Sequence, residues 1–352
     1  MSKKLVGYFL KVVIAGSLLL GIFVYLADPF YHFHGPLFGL EPYLDNAVYQ
    51  TPGAARHLSY DSAIVGSSMT ENFHTTWFDE ELGWHTVKLS YSGARTSDLA
   101  AILGQVFLSS NEVKNIVLDL NAYQLTEDST TCYVERPEYL YDENPFSDVQ
   151  YFLNRDVLCA ALGRTLAYLG KTSGDMDSSY CWEDPELFGL EKTRKAYELV
   201  RSEPGFEKQN PDAEEIQEYV DNCLANLSNI TPYIEDHPTT HFLIFYPPYS
   251  IAYWQTLQES GTLEKIIAVY RASVETLLQY ENVSLYYFQD EKEIIADLGS
   301  YRDLCHYTPQ VNRYIFECIK EDRDGIDESN YFEHLNAMYE LACHYPYEDM
   351  WE

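Results

Sequence analysis

The sequence predicts an α/β fold, a parallel sheet flanked by helices, carried behind one N-terminal transmembrane helix. Three observations lead there: short apolar runs bounded by turn residues, amphipathic stretches between them, and a long apolar segment near the start. Strand, helix, strand, helix in that order implies parallel strands joined by right-handed crossovers.

The apolar segment comes first. After Lys3 and Lys4 the chain is apolar from Leu5 to Ala27, broken only by Lys11. As a helix rising 1.5 Å per residue it matches a bilayer core of roughly 30 Å. No lysine or arginine follows until Arg56, so the charge bias places the N-terminus in the cytoplasm and the remainder outside, with residues 5–27 crossing the cell membrane once. Lys11 can snorkel toward the cytoplasmic side. A cleaved signal peptide would need small residues before its cut and a shorter apolar region, and Tyr25-Leu26-Ala27 fits that badly. Phe30, Tyr31 and Phe33 form an aromatic belt just beyond.

The strand candidates follow. They are Ala63–Val65, Val87–Leu89, Asn115–Leu120, His241–Tyr246 and Val283–Phe288. The third and fourth are almost continuously apolar, as strands buried on both faces must be. Between them, Ser97–Leu108 carries Leu99, Ile102, Leu103 and Val106 on one stripe, and Ala213–Ile234 and Leu257–Leu278 are similar. A further helix starts near Pro309. The segment from about 123 to 240 breaks the rhythm with acidic, tyrosine- and proline-rich pieces and shorter helical patterns at Val149–Leu169 and Leu190–Val200. It is too long for an ordinary connection, and reads as an insertion packed over the carboxyl end of the sheet. The expected organisation is a tip and anchor at 1–27, a juxtamembrane segment at 28–59, the α/β domain at 60–322 with its insertion, and a helical, acidic tail at 323–352.

Composition narrows the function. With 55 aspartates and glutamates against 23 lysines and arginines, the formal charge is −32. Such a surface repels phosphate backbones, which argues against nucleic acid as a partner. The seven cysteines show no metal-site spacing. Outside the membrane they would allow disulfides, and Cys132 with Cys181, which bracket the least regular region, is the first pair to expect. His32 and His34 share one face of an extended segment but lack a third ligand nearby, so no metal and no cofactor is expected. Asn226, Asn229 and Asn282 begin glycosylation-type sequons, a pattern common by chance.

In open α/β sheets, ligands bind outside the carboxyl ends of the strands. Three places reach that edge with polar residues: Gly66-Ser67-Ser68, Ser92-Gly93-Ala94 and Asn121. A fourth element, Asp303-Leu304-Cys305-His306, comes late and just before a helix. These are the parts for acyl transfer: a serine, a base to take its proton, a carboxylate to orient the base, and donors for an oxyanion. Ser68 would be the nucleophile, His306 the base and Asp303 its orienter. The N–H groups of Ser68 and Gly93, with the Asn121 amide, would form the oxyanion hole. Each has a plainer alternative. Ser67, Ser68 and Thr70 are good helix caps, Gly93 suits a turn, and Asp119 could pair with Arg95. Asp303 and His306 at their fixed spacing favour the nucleophile for Ser68.

On these residues the chain resembles the SGNH (GDSL-like) hydrolase superfamily. Gly66-Ser67-Ser68 is similar to its first block, Gly93 to its second, Asn121 to its third, and Asp303 with His306 to its DxxH block, in the family's order. The first block reads GSS where the family often has GDS, and the third lacks the usual glycine and aspartate around its asparagine. The resemblance covers about 60–125 and 240–320. Within the family the chain looks most like the membrane-anchored envelope branch that includes the D-alanyl transfer protein of lipoteichoic-acid synthesis and alginate O-acetylation factors. That resemblance implies a flavodoxin-like three-layer sandwich and an acyl-serine intermediate in a bacterial cell-envelope protein. It implies an acetyl or D-alanyl group moved to or from an envelope polysaccharide or teichoic acid, with a membrane acyl-transfer protein as partner. A free-standing carbohydrate esterase and a catalytically silent assembly protein remain the alternatives.

Overall fold

Five apolar runs stand side by side as parallel strands in the computed structural model, which describes residues 3–37, 46–170 and 174–351. They are β1 (Ser62–Gly66), β2 (Thr86–Ser90), β3 (Asn115–Asp119), β4 (His241–Tyr246) and β5 (Val283–Tyr287). A two-residue strand, β6 (Gly325–Ile326), pairs antiparallel with β5 and completes a six-stranded sheet in the order β2-β1-β3-β4-β5-β6. The register sets Val65 beside Leu89 and Leu118, and Ile116 beside Phe242. Helices cover both faces, which is why β1 and β2 are buried at every position.

The helices run as follows. First come α1 (Lys3–Ala27), α2 (Ala47–His57), α3 (Thr75–Leu82), α4 (Thr96–Leu108) and α5 (Ala122–Thr126). Then come α6 (Glu138–Tyr141), α7 (Val149–Leu153), α8 (Arg155–Leu169), α9 (Leu190–Ser202), α10 (Ala213–Leu227) and α11 (Thr231–Asp236). The last are α12 (Ile251–Ser260), α13 (Leu263–Leu277), α14 (Lys292–Ile295), α15 (Pro309–Glu321) and α16 (Tyr331–His344). One face of the sheet packs Val65, Leu89, Leu118 and Ile244 against α4, α10, α13 and α16. The other packs Ile64, Val117, Leu243 and Phe245 against Phe78 of α3 and Ile315 and Phe316 of α15.

Three long helical patterns are each cut in two for a local reason. Asn154 ends α7 and caps α8 by accepting the N–H of Asp156 and Val157. Pro232 sits in the first turn of α11, after the break that follows α10. Gly261 takes the left-handed conformation at φ 74° to end α12, and a Cβ there would lie 2.1 Å from the Gln209 carbonyl oxygen. Two insertion-region helices belong to the main body: α10 packs on α13, and α9 on α12. The C-terminal residues likewise join the sheet through β6 and the core through Leu335 and Met338 of α16.

The N-terminal helix α1 is long and apolar enough to cross a membrane. Its leucines, valines and isoleucines are exposed almost throughout, and only near its end does Val24 become buried. There it meets Phe30, Tyr139, Tyr151 and Val157 in a small separate core.

Candidate active site

The end of β3 fixes the turn that leaves β1. Gly66 closes β1, and a Cβ at this position would lie 2.3 Å from Asp119 Oδ1 and 2.5 Å from Thr70 Oγ1. Only glycine allows the carboxylate so close. The Ser67 N–H donates to Asp119 Oδ1 at 2.6 Å and Ser67 Oγ donates to Oδ2 at 2.7 Å. Asn121 Nδ2 adds a third bond to Oδ2 at 3.0 Å. Burial pushes the Asp119 carboxyl above its ordinary value, against the opposing pull of these donors.

Two expectations are corrected here. Asp119 does not pair with Arg95, which precedes α4 and instead meets Glu127 at 3.4 Å and the Tyr123 hydroxyl at 3.2 Å. Nor do Ser67, Ser68 and Thr70 cap a helix, because the chain continues as turn and α3 begins only at Thr75 behind His74. Thr70 Oγ1 instead binds the Ser67 carbonyl and Ser90 Oγ, tying the ends of β1 and β2 together.

Ser67 is thus committed to Asp119, while Ser68 has a different partner. Ser68 Oγ lies 2.8 Å from His306 Nε2. On the far side of the ring, Nδ1 lies 2.8 Å from Asp303 Oδ2. The other carboxylate oxygen accepts the N–H of Cys305 at 2.9 Å and of His306 at 2.8 Å, so a local turn holds Asp303 and His306 together. Burial would raise the Asp303 carboxyl. The His306 ring and these two N–H groups outweigh it and hold the carboxyl below its ordinary value.

This loop is anchored from both ends. The Ser250 N–H and hydroxyl both donate to the Leu304 carbonyl, at 3.0 and 2.8 Å. Asn312 Nδ2 of α15 donates to the Met69 carbonyl at 2.7 Å, joining the helix after the loop to the serine turn.

Gly93 has φ 74°, and a Cβ there would lie 2.6 Å from the Tyr133 ring. Backbone conformation and contact both call for glycine. Among the described residues the N–H groups of Ser68 and Gly93 have no acceptor. Asn121 spends one amide hydrogen on Asp119, and its Oδ1 accepts the Gln124 N–H as the cap of α5.

Three further residues beside the site were not singled out from the sequence. Tyr133 stands over Gly93. Trp182 sets its ring edge-on to His306, 5.4 Å between centroids, and donates Nε1–H to Glu71 at 2.9 Å. Glu71 also accepts from Ser92 Oγ at 2.9 Å, and burial pushes its carboxyl up against those donors. Tyr133 and Trp182 both come from the irregular 123–240 segment, which has no motif to mark them. Beneath, the buried Lys88 ammonium donates to the carbonyls of Glu71, Phe73 and Asp177, and burial lowers it to about 8.

The remaining sequence candidates have local roles. All seven cysteines are free, so the expected Cys132–Cys181 pair is not formed; Cys181 Sγ instead points to the Ser178 carbonyl. His32 Nε2 binds Asp148 at 2.8 Å, and the two His34 nitrogens bind the Tyr25 and Gly35 carbonyls. Asn226 is buried among the carbonyls of Leu125 and Glu127, and Asn282 bridges those of Ile234, His237 and Thr240.

No family model and no curated protein matches the chain. A solved structure described as "a putative platelet activating factor from Streptococcus pneumonia" is similar over 78% of this chain and 89% of its own, at 12% identity and a TM-score of 0.39.

Proposed function

We propose that the chain is a membrane-anchored serine acyl-transfer enzyme, an SGNH-type O-acyltransferase or esterase that works through an acyl-Ser68 intermediate. The observation that carries this reading is the continuous chain from Ser68 Oγ through the His306 ring to Asp303, each link 2.8 Å, at the carboxyl end of a parallel sheet.

In this reading Asp303 holds the imidazole with its proton on Nδ1, which leaves Nε2 to accept the Ser68 hydroxyl proton. Ser68 Oγ attacks the donor's acyl carbon, and the carbonyl oxygen takes up negative charge. The unengaged N–H groups of Ser68 and Gly93, with the second amide hydrogen of Asn121, stabilise that oxygen. His306 returns its proton to the leaving group, and the acyl ester remains on Ser68. An incoming hydroxyl then gives its proton to Nε2 and attacks the ester; Ser68 Oγ leaves, taking that proton back from His306, and the acyl group departs on the acceptor. With water as acceptor the same sequence is hydrolysis.

The anchor favours transfer. It would hold the site beside the membrane, near lipid-linked donors or a membrane acyl-transfer partner, with an envelope glycan or teichoic acid as acceptor and acetyl or D-alanyl as cargo. The charge bias supports a cytoplasmic N-terminus and an extracytoplasmic domain.

A fluorophosphonate probe on the full-length protein in detergent, read by peptide mass spectrometry, tests the reading. Label is expected on Ser68, and none in Ser68→Ala or His306→Ala. A folded protein that takes no label at Ser68 would sink the proposal. With p-nitrophenyl acetate as donor and a hydroxyl-rich glycan present, acetyl ester recovered on the glycan against free acetate then separates transfer from hydrolysis.

A further inference from the structure

Helices α7 and α8 pack directly on the last turns of α1. The Phe152 ring of α7 lies against Gly21, 3.9 Å from where a Cβ would stand. A ~30 Å apolar slab centred on the 5–27 stretch reaches to about residue 26, so Gly21 lies roughly 7 Å inside it. If α1 is in a membrane, α7 and the start of α8 cannot be clear of lipid.

Their outward faces suit that position. On α8 the inward residues Val157 and Ala161 are fully buried. The opposite stripe carries Cys159, Leu162, Leu166 and Leu169, at the spacing of one helical face. Leu162 is 49% exposed, Leu166 67% and Leu169 71%, and Leu153 at the end of α7 is 81% exposed. Phe146, just before α7, is 86% exposed. The charged groups lie off this stripe or at its start. Arg164 turns inward over the Tyr31 ring and toward the Pro29 carbonyl, and Arg155 and Asp156 sit in the first turn. So many exposed apolar side chains in one place mark a binding surface. Here the surface is continuous with α1, which is long and apolar enough to cross a bilayer.

We propose that α7 and α8, with Phe146, form a second membrane contact that lies in the headgroup–acyl boundary beside the carboxyl end of α1. Interfacial helices sink an apolar face roughly 5–10 Å into that boundary, which matches the depth set by Phe152 on Gly21. The ligand is the lipid surface itself. A second contact stops the domain from swivelling about a single helix and fixes how its α/β body faces the membrane. The inference rests on α1 being an anchor and is independent of the chemistry at Ser68.

The test is photolabelling of the full-length protein in phosphatidylcholine vesicles doped with a phosphatidylcholine whose acyl chain carries a diazirine, followed by peptide mapping. Adducts are expected in 5–27 and also in 146–169. In Leu162→Glu/Leu166→Glu the 146–169 adducts should fall at least about fivefold while those on α1 persist. Label confined to α1 would overturn the lipid contact and leave the anchor standing. Label on neither segment would overturn both. Unchanged 146–169 label in the double variant, or a stripe that crosslinks to a second copy and takes no lipid label, would also overturn it.

Discussion

Two adjacent serines at the end of β1 are each served by a carboxylate, yet the two arrangements differ in kind. Ser67 bonds Asp119 directly, where both residues are buried. Ser68 reaches Asp303 only through His306, at the edge of the protein where the ring stays about one-third exposed. A direct serine–carboxylate bond satisfies a buried charge and holds a turn. An imidazole placed between the same two groups gives the hydroxyl a base that can take its proton near neutral pH and return it. The comparison teaches that the carboxylate alone does not make a nucleophile; the group between it and the serine does.

The largest expected effect breaks the Ser68 side. Ser68→Ala should lower p-nitrophenyl acetate turnover by about 10³-fold or more, whereas Ser67→Ala should leave Ser68 labelled by the fluorophosphonate probe. Equal losses would mean that the two serines act as one unit. Asp303→Asn should lower kcat by on the order of 10²–10⁴-fold with little change in melting temperature, because it disturbs the imidazole's tautomer without removing buried contacts.

Asp119→Ala should do the opposite. It strips partners from the Ser67 N–H, the Ser67 hydroxyl and the Asn121 amide, and should cost about 3–5 kcal/mol in chemical denaturation. Ser67→Ala, which removes one donor from a buried carboxylate, should cost about 1–3 kcal/mol. A stability loss in Asp303→Asn as large as in Asp119→Ala would erase the distinction.

The smallest effect is a difference in slope with pH. Asp303 is held below its ordinary value, so its stabilisation is complete above the unfolded-state value and is lost as pH falls through the folded one. Asp119 is pushed up, so its contribution is best below the unfolded-state value and declines as pH rises through the folded one. Melting temperatures between about pH 2 and 6 should therefore show Asp303→Asn flattening the acid limb. Over the same range Asp119→Asn should gain on the parent as pH rises. Parallel curves for the two variants would contradict this assignment.

Much of the scaffold was legible because burial on both faces writes itself as an apolar run. All five parallel strands fall within a residue or so of their runs, since each must be apolar to sit between two helical layers. β6 left no such trace, because two residues carry no period. The candidate site was legible where a motif is local: Asp303 and His306 are joined by one turn, and Ser68 and Gly93 follow strand ends. Asp119 was visible as a residue and misread as a partner, because its direction depends on which sheet face it takes. Tyr133 and Trp182 were invisible, since only the path of an irregular segment brings them to Gly93 and His306.

The edge-on Trp182 ring has a practical consequence. An imidazolium draws excited-state electron density from a neighbouring indole far more readily than a neutral imidazole does, so the pair is a built-in optical gauge of charge on His306. The emission lost in Trp182→Phe is this residue's share of the signal, and it should dim as the ring is protonated. In His306→Ala it should brighten; a pH response that survives that substitution would belong to Glu71, which accepts the indole N–H. Under the proposed mechanism, the charge on His306 could then be followed through a turnover without a chromogenic substrate.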